Sequence, residues 1–419
     1  MNSDLPGYEQ AAAIVAERVR AIAGHHHPRT EPVDLAHAAG RVLAVPLLAD
    51  EDQPPFSRST RDGYACRAVE ASAHIALPVA GSTHAGEAPA GPLPSGAAWE
   101  IMTGAPVPDG ADCVVMLEHI ERTGDLVRLV QSRTIEPGDN IVSKGAQARG
   151  GDPLLAPGIA LGPAQIALAA SCGYSTIESF IRPRVAILAT GDELVPIDAK
   201  PEPGKIRNSN APMLATLVDR TGGVPVVLPA SADTAGALDA ALEQAIRADM
   251  LVISGGVSAG KYDLVEPALS RLGARFHFTG VKIQPGKPLV FGEIPQGERS
   301  ATAKVFFGLP GNPISSAVTF QLFAAPVVAA LAGGREAHPR FVFATLARDT
   351  DRKNKPGLTR FLPARCAFND SSSELPQVAT VPWQGSGDLA AFAQSNCFLV
   401  IPEDAGSLTA GATVRILLH

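Results

Sequence analysis

The chain is short of cysteine, of long apolar runs and of positive charge, and each shortage removes a class of function. Its five cysteines (Cys66, Cys113, Cys172, Cys366 and Cys397) are scattered over 419 residues and form no C-x-x-C pair. A disulfide framework or a thiolate zinc site is therefore not expected. No apolar run reaches the length that spans a bilayer, and the N-terminus lacks the apolar core of a signal peptide. The expectation is a soluble, cytoplasmic protein with no membrane partner. Lysine and arginine number 35 against 42 aspartates and glutamates, a formal net charge of −7. That balance argues against a nucleic-acid partner. It also sets a condition: an anionic ligand must be met by local lysines, backbone N–H groups or a bound metal. No G-x-G-x-x-G follows a strand-like run and no G-x-x-x-x-G-K-[ST] occurs, so neither a nicotinamide-binding fold nor a P-loop enzyme is indicated.

Glycine and proline, by contrast, are plentiful, 40 and 36 residues spread along the chain, and they signal many tight turns between short elements. With 46% hydrophobic residues the chain can bury sizeable cores, and its length suits about three domains. Residues 8–22 carry Ala12, Val15, Val19 and Ile22 at helical spacing and predict an amphipathic opening helix. His25, His26 and His27 follow and read as a solvated loop rather than a metal site. Residues 51–148 hold short apolar runs broken by Gly, Pro, Asp and Asn, which predicts a β insert. Residues 149–182 end in a helical stretch, 164–171, placed to return beside the opening helix. Residues 1–50 and 149–182 then form one discontinuous, linking and dimerising N-terminal domain.

From residue 183 strands and helices alternate: strands at 185–189, 224–228, 250–253, 288–291 and 304–307, helices at 211–221, 234–247, 263–272 and 314–331. Continuous apolar strands between helices predict a doubly wound, mostly parallel sheet covered on both faces, over 183–333. Gly333-Gly334 marks a linker, and 336–419 reads as a small C-terminal β domain. The fold class is α/β plus β domains.

The chemistry concentrates at strand ends, where open parallel sheets bind ligands. The first end gives Thr190-Gly191-Asp192-Glu193. The second, residues 254–263, runs Ser-Gly-Gly-Val-Ser-Ala-Gly-Lys-Tyr-Asp. Its glycines Gly255, Gly256 and Gly260 let backbone N–H groups approach an anion, and Ser254 and Ser258 add hydroxyls. The third gives Gly308-Leu309-Pro310-Gly311-Asn312-Pro313. Asn208 and Asn210 precede a helix, Asn210 as a plausible N-cap. Lys287, stiffened between Pro285 and Pro288, offers a point charge, and Lys282 and Lys261 are secondary candidates. Asp192, Glu193 and Asp263 supply hard oxygens of the kind Mg²⁺ takes. The plainer alternatives stand beside these: Asp192 capping a turn, Asp233 and Asp263 capping helices, Lys282 solvated, Cys113 in the core. The expected ligand is a phosphorylated or oxyanionic molecule.

At these residues the chain resembles the molybdopterin molybdenumtransferases, the MoeA type whose eukaryotic counterpart is the gephyrin E domain. The resemblance spans nearly the whole chain. It runs through Ala39-Gly40-Arg41-Val42-Leu43-Ala44, Pro54-Pro55-Phe56, Asp62-Gly63-Tyr64-Ala65, Thr103-Gly104-Ala105-Pro106-Val107-Pro108 and Ala111-Asp112-Cys113-Val114-Val115-Met116. The strand-end motifs, Pro285-Gly286-Lys287-Pro288 and Gly385-Ser386-Gly387 complete it. The resemblance implies an elongated homodimer of four-domain subunits whose central-domain site is completed by the partner's β insert. It implies molybdate insertion into adenylylated molybdopterin with Mg²⁺-dependent release of AMP. It also implies a molybdopterin adenylyltransferase as the partner delivering substrate.

Carried over by position, Asp263, Lys287, Glu193 and Asp62 are the catalytic residues. Asp192, Glu193, Asp233 and Asp263 are the metal ligands. The substrate-binding set is Thr103, Thr190, Gly191, Asn208, Ser254, Gly255, Gly256, Ser258, Gly260, Gly308, Pro310, Gly311, Pro313 and Ser386. Asp62 and Thr103 match positions that reach across the dimer. Departures occur at Gln147, which replaces an expected aspartate, at the reduced basic run around Lys144, at Arg61, and at Gln284 in place of a lysine. They keep two alternatives open, a molybdopterin carrier or scaffold with weakened catalysis and a tungstate-preferring paralogue.

Overall fold

The Arg184–Ala189 segment has no polar side chain after its first position and is buried from Val185 onward. It is one of six strands in a central sheet, ordered Val224–Val227, Arg184–Ala189, Met250–Ser254, Lys304–Leu309, Val290–Ile294 and Arg275–Phe278. The computed structural model describes residues 5–25, 29–257, 264–296, 303–335, 338–350, 357–367 and 374–419. His26, His27, Ser258, Gly260, Lys261 and Asp263 lie outside these described residues.

The first four strands of the sheet are parallel; Val290–Ile294 runs against them, and Arg275–Phe278 pairs antiparallel with it. The reversal follows from chain length. A parallel crossover needs on the order of a dozen residues or more, and only residues 295–303 separate the Val290–Ile294 and Lys304–Leu309 strands. The Arg275–Phe278 edge strand was not expected from the sequence. Arg275 and His277 are exposed while Phe276 and Phe278 turn inward, which is edge-strand alternation over too few residues to stand out.

Helices cover both faces. On one, Leu214, Val218, Ile314, Val318, Phe323 and Val327 pack over Val185, Val252 and Phe307. On the other, Leu238, Leu242, Val265 and Leu269 pack over Ala186, Leu251 and Phe306. The longest covering helix, Pro313–Leu331, corrects one expectation. Among the described residues it is long and apolar enough, by length and composition, to cross a membrane, but 78% of its apolar window is buried in this core. Its middle, Phe320–Ala324, widens into a π turn. Pro326 lacks an N–H and its ring crowds the carbonyl four residues earlier; the extra residue in the turn relieves that clash.

The opening helix, Tyr8–His25, packs on this same core rather than beside residues 149–182. Ala11 and Val15 are buried there, and Tyr8 meets the edges of Phe323, Phe341 and Phe361. Burial pushes the Tyr8 hydroxyl up to about 12. Arg18 pairs with the buried Glu293, which also faces His277. What residues 149–182 join instead is the segment after the helix. Thr30–Asp34 pairs antiparallel with Thr176–Phe180, and Leu43, Leu47, Leu161, Ala169 and Ile177 share a separate small core.

The insert carries a second six-stranded sheet in which Gly63–Cys66 lies between Cys113–Met116 and Ala98–Ile101. At the C-terminus five strands close into a barrel, because Thr359–Ala367 pairs with both Gln377–Thr380 and Cys397–Ile401. A short strand from the central segment, Ile283–Gln284, joins this barrel beside Thr359 and Arg360. Phe361, Phe398 and Leu417 of the barrel belong to the same apolar core as the central sheet.

Candidate functional site

The parallel strands Arg184–Ala189, Met250–Ser254 and Lys304–Leu309 all end at one edge, and their loops touch backbone to backbone. Thr190 N donates to Ser254 O at 2.9 Å, and Gly255 N donates to Leu309 O at 3.0 Å. The contact requires glycine. A Cβ on Gly255, whose φ is +93°, would fall 2.5 Å from Thr190 O; one on Gly256 would meet Thr190 Oγ1 and Val265 at 2.8 Å. Gly191 leaves room for the Glu193 carboxylate, whose Oε2 would lie 2.5 Å from a Cβ there. Gly308 has a packing task instead, since a side chain would strike Val257 at 2.7 Å.

These loops wall a cleft of about 710 Å³. Thr190, Gly191, Asn208, Ser254, Gly255, Gly256, Pro310, Gly311 and Pro313 line it, so the strand ends converge as the sequence suggested. Asn210 does more than the expected capping. Asn208 Oδ1 takes the cap position, accepting from Ala211 N at 3.1 Å. Asn210, the first helical residue, is buried and donates through Nδ2 to Ser254 Oγ at 2.8 Å and to Gly311 O at 2.6 Å. One side chain thereby fastens a second loop and a third. Among the described residues, Asn210 Oδ1 and Thr190 Oγ1 are buried without a hydrogen-bond partner.

The C-terminal barrel contributes the remaining wall. Asn312 Nδ2 donates to Ser386 Oγ at 2.9 Å, Ile314 N donates to Ser386 O at 3.0 Å, and Gly387 lines the cleft. Ser386, singled out from the sequence, is not itself among the residues lining the cleft; it is held against Asn312, which is.

Glu193 and Asp233 line the cleft and Asp192 stands beside it. The two aspartates hold each other's backbone: Asp233 N donates to Asp192 Oδ1 at 3.0 Å and Asp192 N to Asp233 Oδ2 at 3.4 Å. The helix cap expected of Asp233 is supplied by Thr234, which accepts from Ala237 N. Among the described residues no group of three or more His, Cys, Asp or Glu is gathered closely enough to hold a metal by itself.

Two candidates lie elsewhere. Lys287 lines a separate cavity of about 470 Å³ with Lys282, Glu403 and Asp404. Among the described residues, the positive side chain lining the strand-end cleft is Arg207, missed as a site residue although it stands next to Asn208. Its Nε donates to Ala199 O at 3.0 Å. Asp62 and Thr103 sit together on the insert, exposed. Asp62 Oδ1 accepts from Thr103 N at 2.6 Å and from Thr103 Oγ1 at 2.8 Å. The backbone and then the hydroxyl hydrogen bond hold the Asp62 carboxyl below the usual carboxylate range.

The cleft is therefore a receptor rich in backbone N–H groups and hydroxyls, with carboxylates at its rim, suited to a ligand that carries phosphate or another oxyanion. Family models match the chain in three blocks: the MoeA N-terminal region (domain I and II) over 7–173, a probable molybdopterin binding domain over 186–330, and the MoeA C-terminal region (domain IV) over 345–419. A molybdopterin molybdenumtransferase from Nostoc sp. is 35% identical over 93% of this chain and 88% of its own length. One from Haemophilus influenzae is 32% identical over 93% of both. Two structures of the molybdopterin biosynthesis MoeA protein from Pyrococcus horikoshii superpose with TM-scores of 0.73 and 0.79. They are 31% and 28% identical and cover 99% of this chain, and 99% and 100% of their own. Ordered motifs, architecture and full-length similarity agree: the chain belongs to the MoeA family.

Proposed function

We propose that this protein is a molybdopterin molybdenumtransferase that inserts molybdate into adenylylated molybdopterin and releases AMP. The observation that carries the reading is the convergence of three strand-end loops and the Gly387 turn on one cleft, in a chain similar along its length to proteins of that name. Both substrates are anions and the chain is acidic. Attraction must then be local, from loop N–H groups, the Ser254 hydroxyl and Arg207.

Mg²⁺ fits the donors present. It binds through one or two carboxylates together with substrate phosphates and water. Asp192 and Asp233, linked through each other's backbone at one edge of the cleft, and Glu193 supply such oxygens. Bound there, the ion would offset charge building on the phosphate as the P–O bond breaks. The Asp62–Thr103 pair lies on the insert, away from the residues lining the cleft of its own chain. A homodimer in which the partner's insert completes the cleft gives that pair a role in catalysis.

The test is AMP release from adenylylated molybdopterin with molybdate and Mg²⁺, coupled to activation of an apo-molybdoenzyme. Release with activation is expected. Tight pterin binding with neither signal would make the protein a carrier.

A further inference from the structure

A second cleft, of about 1000 Å³, opens where the Gly158–Ala160 turn, two central helices and the end of the barrel meet. Its charged lining among the described residues is of one sign. Arg220, Arg335 and Arg340 line it with His338 and His419, and no Asp or Glu does. Such a concentration is notable in a chain of net charge −7. No ion pair among the described residues engages these three guanidinium groups. Glu336 lies outside the described residues. Arg335 is positioned: its N–H donates to Gly158 O at 3.1 Å, and its stem lies where a Cβ on Gly158 would come within 2.6 Å of Cγ.

Two neutral polar groups point the same way. Gln321, on the π turn, lines the cleft, and its Nε2 is buried without a hydrogen-bond partner. His419 lines it too; its Nε2 faces Ser395, and its Nδ1 is buried and unpartnered. π turns are frequent at functional sites, and this one brings Gln321 to the cleft wall with its Nε2 covered. Between these groups the wall is apolar, built from the partly exposed Ile159, Leu217, Pro339 and Leu418. Guanidinium groups form paired hydrogen bonds with phosphate oxygens, and a cavity of this size takes a small organic molecule.

We propose that this cleft is a second ligand site, taking a small organic phosphate with an apolar ring: Arg220, Arg335 and Arg340 hold the phosphate, and Ile159, Leu217 and Leu418 receive the ring. It is separate from the strand-end cleft and does not rest on the activity proposed for that cleft.

The test uses the full-length protein and 1-naphthyl phosphate as probe, followed by calorimetry at low and at 0.5 M salt, about the range over which screening becomes strong. Saturable binding is expected, weaker at high salt, with no comparable binding of uncharged 1-naphthol. The R220Q/R340Q variant, altered only at exposed side chains, should bind at least about tenfold more weakly with an unchanged melting temperature. N208A, in the strand-end cleft, should leave binding intact. Absence of saturable binding overturns the proposal. So does equal affinity for 1-naphthol, indifference to R220Q/R340Q, or loss of binding in N208A.

Discussion

Single residues at the strand-end cleft make separable predictions. In Gly255→Ala the new methyl meets a backbone carbonyl 2.5 Å away at a φ of +93°, so the loop must move. Activity should fall by orders of magnitude while the rest of the sheet holds, which circular dichroism alongside an AMP-release assay will show. Asn210→Ala unties two loops and leaves Gly311 O and Ser254 Oγ short of a partner. A loss of about 1–3 kcal/mol is expected, read from urea unfolding. For Asp62 the sign can be worked out. Its folded-state carboxyl titrates below the ordinary value because Thr103 donates twice to it. Its contribution is therefore complete above the unfolded value and disappears as pH falls through the lowered one. Asp62→Asn should abolish the acid limb that this carboxylate gives to the pH–rate profile.

Not all of this was readable in residues. Glycine loops at strand ends announce themselves by composition, and the three did converge. The double donation by Asn210 could not be foreseen, because an asparagine before a helix looks like a cap whether or not a second loop stands within reach. Lys287 illustrates the converse: two flanking prolines fix a turn but not the cavity it faces.

At the level of elements, strands and helices with strong apolar patterns were legible to within about three residues at each end, and the exceptions have physical causes. The Arg275–Phe278 strand is short and half polar, so its alternation carries little signal. The opening helix was recognisable, but an apolar stripe does not say which core receives it. The Arg18–Glu293 pair now gives that docking a test. Arg18→Ala leaves a buried carboxylate facing only His277. With Arg18 itself about one-third exposed, a cost of about 2 kcal/mol is expected in chemical denaturation, less than for a fully buried pair. Glu293→Gln on the Arg18→Ala background should recover part of it.

For the molecule as a whole, the proposed dimer predicts complementation. Asp62→Ala and Asn210→Ala damage different parts of the site. If a partner's insert completes each cleft, mixed dimers of the two variants carry one cleft with neither lesion. Co-expressing the two chains should restore up to about half of the wild-type activity per heterodimer, following the mass action that governs subunit exchange. No recovery would place Asp62 and the cleft in the same subunit's chemistry. Assembly of this kind is hidden from sequence patterns, which record a buried face but not whose it is.

The barrel's attachment has a mechanical consequence. One of its strands, Ile283–Gln284, is supplied by the central segment, and its phenylalanines complete the central core. The joint is a weld, not a hinge. Any widening of the strand-end cleft to admit a large substrate must come from its loops or from the insert, while the barrel wall that carries Ser386 stays still. A chain cut at the Gly333-Gly334 linker would not release two working parts: it would leave one with a torn core and the other without the strand that braces Thr359 and Arg360.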